Sequence, residues 1–183
     1  MKKSGLRSRP GFSYATGHRV RTTAGRAIPS TPLKIIIYVP PLGGWSTLAI
    51  DFLHYLVREH NLQVLFVADE EKLGYTLQKK INRLKAVNPN LHLSDVLPAD
   101  LNGYDVLFID CINSIKMTIE SMEALSNMYP RLSFVNLFQT TKEGEFKGPK
   151  DYEHWADVVI LAAVLKAKPK KSRFGGKDMI NIL

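Results

Sequence analysis

The sequence predicts an α/β fold, a mostly parallel central sheet flanked by helices. Three observations predict it. First, five short apolar runs rich in β-branched and aromatic residues recur along the chain: Leu33–Val39, Gln63–Ala68, Asp105–Ile109, Leu132–Phe138 and Val158–Val164. Continuous apolar runs of this length suit strands buried on both faces, as in parallel sheets. Second, stretches with helical spacing separate most of the runs, and that alternation makes βαβ units. Third, the segments just after the runs are rich in Gly, Pro and polar residues. In open parallel sheets ligands bind outside the carboxyl ends of the strands.

The first run, LKIIIYV, leads into the turn 40–47. The segment Ser46–His60 follows, with Leu48, Phe52, Leu53, Leu56 and Val57 on one helical face. After the second run, Lys72–Val87 places Leu73, Leu77, Ile81 and Leu84 on one face. Met117–Met128 is a third helix between the third and fourth runs, and Met179–Leu183 has the composition of one more strand. No internal repeat is found.

The chain has 183 residues, enough for one domain with a real core, and 45% of them are hydrophobic. No apolar run approaches the roughly 20 residues that span a bilayer. The basic N-terminus is not followed by an apolar stretch of the secretory kind. One cysteine, Cys111, leaves no internal disulfide and no multi-cysteine zinc site. The expected compartment is the cytoplasm, with no membrane partner.

The net charge of +8 is unevenly placed. Residues 1–50 hold eight basic side chains, Arg19 and Arg21 among them, and no acid; the other 133 residues hold 17 of each sign. Residues 1–31, which end in Pro29-Ser30-Thr31 before Pro32, are expected to be a flexible basic arm. The core is expected over 32–183. Such an arm suits a nucleic-acid backbone or another polyanion, and equally a solvated tail or a targeting peptide poor in acids.

The chemistry is sought after each run. Pro40-Pro41-Leu42-Gly43-Gly44-Trp45-Ser46-Thr47 lies between a strand and a helix, the setting of a phosphate-binding P-loop. In that register Gly44 and Ser46 match the pattern. Val39 replaces its first glycine and Trp45 its lysine. Backbone amides at the helix start still attract an anion, and Ser46 could still ligate Mg²⁺. A neutral indole cannot neutralise phosphate charge as lysine does. Trp45 therefore either closes a dead pocket or borders one that still takes nucleotide.

Asp69-Glu70-Glu71 follows the second run. Carboxylates there can polarise a water, or they can favour the start of the next helix, and the second reading is preferred on charge alone. Asp110 ends the third run in the Walker B manner, where a carboxylate holds Mg²⁺; strands also end in Asp for turn reasons. The stretch 139–150 after the fourth run is expected to be an irregular mobile loop at the ligand edge. Phe146 among Lys142, Lys147 and Lys150 suits single-stranded nucleic acid, although Glu143, Glu145 and Asp151 oppose it, and the alternative is a solvated surface loop. Five of the eight residues from Lys166 to Arg173 are basic.

These pieces together resemble the ATPase core of the RadA (Sms)/DnaB group. The stretch Thr141-Lys142-Glu143-Gly144, Gly148-Pro149, Glu153-His154 and Asp157 is similar to the second half of the RadA core, and Lys171-Ser172-Arg173-Phe174-Gly175 is similar to its Lys-Asn-Arg-Phe-Gly signature. The resemblance implies a RecA-like P-loop NTPase fold, ATP and Mg²⁺ as ligands, DNA as partner, and assembly with itself or a related ATPase. It implies roles as well. Glu70, with Glu71 beside it, would activate water; Asp110 would be the Walker B acid; Gln139 would sense the γ-phosphate. Residues 141–150 would contact DNA, and Lys171 and Arg173 would reach a neighbour's nucleotide. The departures are Val39 and Trp45 in the P-loop, and these 183 residues include neither the zinc finger nor the protease-like domain of RadA. The expectation is a divergent accessory protein of recombination, repair or replication, with hydrolysis weakened or lost. The alternatives are an active DNA-dependent ATPase and an interaction module without nucleotide.

Overall fold

The computed structural model describes residues 21–23, 26–28, 32–40, 45–69, 72–141, 149–163, 166–173 and 180–181. In chain order the elements are β1 (Arg21–Thr23), β2 (Arg26–Ile28), β3 (Lys34–Val39), α1 (Trp45–His60), β4 (Val64–Ala68), α2 (Tyr75–Arg83), β5 (Leu91–Ser94) and β6 (Val106–Asp110). There follow α3 (Ile112–Ile115), α4 (Ile119–Met128), β7 (Ser133–Gln139), α5 (Lys150–Trp155), β8 (Val158–Ala163), β9 (Lys166–Ser172) and β10 (Ile180–Asn181).

Among the described residues eight strands form the main sheet, in the order β10-β9-β8-β3-β7-β6-β4-β5. The six from β8 to β5 are parallel to one another, while β9 and β10 add antiparallel strands at one edge. The all-apolar runs occupy the inner positions because a strand covered on both faces needs apolar residues at every position. β4 and β6 are buried throughout. β5 lies at the opposite edge, and its LHLS sequence is only partly buried.

Side chains alternate across a strand, so one face of the sheet can be followed from strand to strand. Ile35, Ile37 and Val39 of β3 share a core with Phe66, Phe108 and Leu137, and with Phe52, Leu53 and Val57 of α1 and Leu77 and Ile81 of α2. Ile36, Tyr38, Ile109, Phe134 and Phe138 form a second core with Ile112 of α3, Met122 of α4, and Tyr152 and Trp155 of α5. The sheet is thus the middle of three layers, with α1 and α2 on one face and α3, α4 and α5 on the other. Phe108 sits centrally on the α1 face, edge-on to Phe52 at 5.6 Å and to Phe66 at 6.4 Å between ring centroids.

The structure corrects several expected boundaries. The helix expected over Lys72–Val87 is the shorter α2, and Leu73 is 41% exposed rather than inward. Lys72 has a φ of 54°, and Gly74, in extended conformation, caps the helix. The chain therefore turns before the helix can begin. Lys150 opens α5 instead of closing an irregular loop; Asp151 and Glu153 in the first turn suit its dipole. The basic stretch after β8 is strand β9, paired along its length with apolar β8. Within the stretch expected to be an arm, β1 and β2 form a separate antiparallel pair. Among the described residues no helix is long and apolar enough to cross a membrane.

Candidate nucleotide site at the carboxyl edge of the sheet

The connection from β3 crosses on the α1 face to β4, and the connection from β7 crosses by α5 on the other face to β8. β3 and β7 are neighbours, so adjacent strands send their chains to opposite faces. That arrangement opens a crevice at the carboxyl ends of the pair. Val39 and Gln139 are register partners at that point, and Thr140 N donates to Val39 O at 2.9 Å.

Asp110 ends β6 one strand further on. It is 1% exposed and is the register partner of Ala68. By strand alternation Asp110 lies on the face of Val106 and Phe108, and Gln139 on the face of Val135 and Leu137. Both therefore stand on the α1 side, at the edge where α1 begins. Asn113 of α3 links the two strand ends: its Oδ1 accepts from Gln139 N at 3.3 Å and from Cys111 Sγ at 3.4 Å. Sequence reasoning missed Asn113; its nearness to Asp110 in the chain was the available signal.

Asp69 follows β4, and its N donates to Asp110 O at 2.8 Å. Its Oδ1 accepts from Lys72 Nζ at 2.6 Å. That hydrogen bond, aided by one from Ser114, holds the Asp69 carboxyl below its ordinary pKa. The reading of this acidic stretch as a helix start is corrected, because α2 begins only at Tyr75 and has no acid in its first turn. Glu70, Glu71, Gly43 and Gly44 lie outside the described residues, as do Lys142, Phe146, Lys147 and Arg19. Trp45 and Ser46 are the first two residues of α1 and Arg21 is in β1; only their backbone is described. Thr47, the third residue of α1, accepts on Oγ1 from Arg83 Nη2 at 3.2 Å. Lys150 is exposed.

Lys171 and Arg173 stand at the opposite edge of the sheet. Lys171 pairs with Val159 near the start of β8, about 13 Å from its carboxyl end at the usual rise per residue. Lys171 Nζ donates to the carbonyls of Glu153 (2.6 Å) and His154 (3.1 Å), near the end of α5. Arg173 Nη1 pairs with Asp157 Oδ1 at 3.0 Å. Both cations thus have bonds within the chain, and neither reaches this chain's own crevice. Among the described residues no group of three or more His, Cys, Asp and Glu side chains could hold a metal ion.

The strand order, the layers and the switch point define a RecA-like P-loop fold. No protein-family model matches this chain. In sequence it is similar to the DNA repair protein RadA of Campylobacter jejuni, 27% identical over 177 residues; the match covers 81% of this chain but only 39% of that protein. In structure it is similar to the flagellar accessory protein FlaH of Methanocaldococcus jannaschii, with a TM-score of 0.60 and 17% identity over 83% of this chain and 84% of that one. A KaiC-like protein of Pyrococcus horikoshii gives 0.59 and 15%, covering 88% and 93%.

Proposed function

We propose that the chain binds a nucleoside triphosphate with Mg²⁺ in the crevice between β3 and β7, hydrolyses it slowly or not at all, and works on single-stranded DNA as an accessory in recombination, repair or replication. One observation carries the nucleotide part: Asp110 and Gln139 converge on the α1 face at the switch point, beside the start of α1. A carboxylate at a strand end and a serine hydroxyl at a helix start are hard oxygen donors of the kind Mg²⁺ accepts through few protein ligands. Asp110 and Ser46 would hold the ion, which supplies charge neutralisation on the phosphates when bound. Glu70, with Glu71, would orient a water and Gln139 would meet the terminal phosphate. Trp45 in place of lysine weakens hydrolysis because the lysine charge normally acts on the transferring group.

The DNA part draws support from the RadA similarity and from the acid-free first 50 residues. Arg19, Arg21, Lys142, Phe146, Lys147 and Lys150 would carry it. Lys171 and Arg173 would act in a neighbour's site, in an assembly with itself or a related ATPase.

The test is calorimetry of Mg-ATP with the native chain and with Trp45→Lys, each with and without single-stranded DNA. Saturable binding by the native chain, tightened by Trp45→Lys, is expected. If neither chain binds and neither ligand raises the melting temperature, an interaction module without nucleotide is the better reading, since any ligand preferring the folded state raises it.

A further inference from the structure

We propose that Arg83 supplies the phosphate-binding cation that the P-loop lacks at Trp45; the assignment rests on the nucleotide reading above. Arg83 is the last residue of α2, and its guanidinium reaches across to Thr47 in the first turn of α1. That turn follows Gly43-Gly44, and its free N–H groups make it electropositive.

A guanidinium held at the positive end of a helix opposes that helix's own dipole. A carboxylate between the two would explain it. The first turn of α1 has no acid, and among the described residues no carboxylate lies within ion-pair distance of Arg83. α2 itself, YTLQKKINR, contains no acid. A place in the last turn of α2 suits that helix's dipole, but the dipole does not require a bond to Thr47. Two positive elements converging on one point fit a shared anion. Arginine suits the role, because one N–H bonds Thr47 and its remaining donors can take phosphate oxygens in a fork.

The full chain is titrated by calorimetry with Mg-ADP and with tripolyphosphate, which isolates phosphate binding from base and sugar. Arg83→Ala is expected to weaken both by about 10- to 100-fold, the loss of charge-assisted bonds. Arg83→Lys should weaken them less, and adding Trp45→Lys to Arg83→Ala should restore much of the affinity. Lys79→Ala removes a charge from the same helix, where Lys79 stands 6.0 Å over the Tyr75 ring. It should cost no more than about threefold, a screened surface effect. Melting curves establish that each variant is folded. Equal binding by Arg83→Ala and native chain, or equal losses in Arg83→Ala and Lys79→Ala, overturns the assignment and leaves the nucleotide reading standing. No binding of either probe by the folded native chain overturns both.

Discussion

Asp157 offers a direct measure of how the amino edge of the sheet is held, and of what Arg173 contributes there. Its Oδ2 accepts from Lys34 N at 3.0 Å and its Oδ1 pairs with Arg173 Nη1 at 3.0 Å. The Asp157 side chain is 14% exposed and that of Arg173 58%. Asp157→Ala removes both contacts and keeps the main-chain bonds from Asp157 N to Lys34 O and from Arg173 N to Asp157 O. The hydrogen bond from a backbone N–H to a mostly buried carboxylate contributes about 1.5–3 kcal/mol. The ion pair has a largely exposed arginine, so it contributes about 0–1 kcal/mol. Asp157→Ala is therefore expected to cost about 2–3 kcal/mol, and Arg173→Ala less than about 1 kcal/mol. Asp157→Asn keeps an acceptor for Lys34 N and falls between them. Urea denaturation with linear extrapolation gives each difference. A cost below about 1 kcal/mol for Asp157→Ala, or equal costs for Asp157→Ala and Arg173→Ala, would refute this division of energy between the two contacts.

Three further outcomes are expected. Phe108 is fully buried between Phe52 and Phe66, so Phe108→Ala should lower unfolding free energy by about 3–5 kcal/mol; a loss under about 1 kcal/mol would mean that this aromatic cluster is not the packed centre. Thr118 caps α4 by accepting from Ser121 N at 3.3 Å, and Thr118→Ala should cost about 1 kcal/mol by the same denaturation measurement, while Thr118→Ser should cost much less. The lowered pKa of Asp69 makes its contribution to stability fully present above its unfolded value, near 3.8, and lost as pH falls through the lower folded value. Lys72→Ala should raise the Asp69 titration midpoint seen by NMR and flatten the stability loss below about pH 4; an unmoved midpoint would show that Lys72 is not the cause.

The parallel strands were legible because their signal is local. Runs such as KIIIYV and VLFID need cover on both faces wherever they are placed, and β3, β4, β6, β7 and β8 fall within a residue or so of their expected bounds. β5 and β9 were not legible for the opposite reason. LHLS sits at an edge and KAKPKKS is polar, so each is a strand only because a neighbour, β4 or β8, offers a free edge. α2 was overextended because Leu73 fits the helical period, whereas the backbone turn at Lys72 leaves no period to detect. At the candidate site, the placement of Asp110 and Gln139 at strand ends was legible because their strands were. Asn113 and Arg83 make contacts across elements, Asn113 to Gln139 and Arg83 to Thr47; only the nearness of Asn113 to Asp110 in the chain hints at the first, and no spacing encodes the second.

The two edges of the sheet constrain how the basic residues can be used. Lys171 is tied to β8 by register near its start, and the crevice opens beyond the far ends of the parallel strands. A lysine side chain reaches only a few ångströms, so Lys171 cannot replace the missing P-loop charge within its own subunit. It could do so only for another copy, and only after releasing the carbonyls of Glu153 and His154; Arg173 would likewise have to leave Asp157. The Arg173 pair is weak enough to exchange for a phosphate, since its arginine is largely exposed. Arg83 requires neither a second copy nor a broken ion pair. A charge available within one subunit makes phosphate binding independent of protein concentration, whereas a charge supplied by a neighbour makes binding rise with assembly. The concentration dependence of nucleotide affinity therefore separates the two sources.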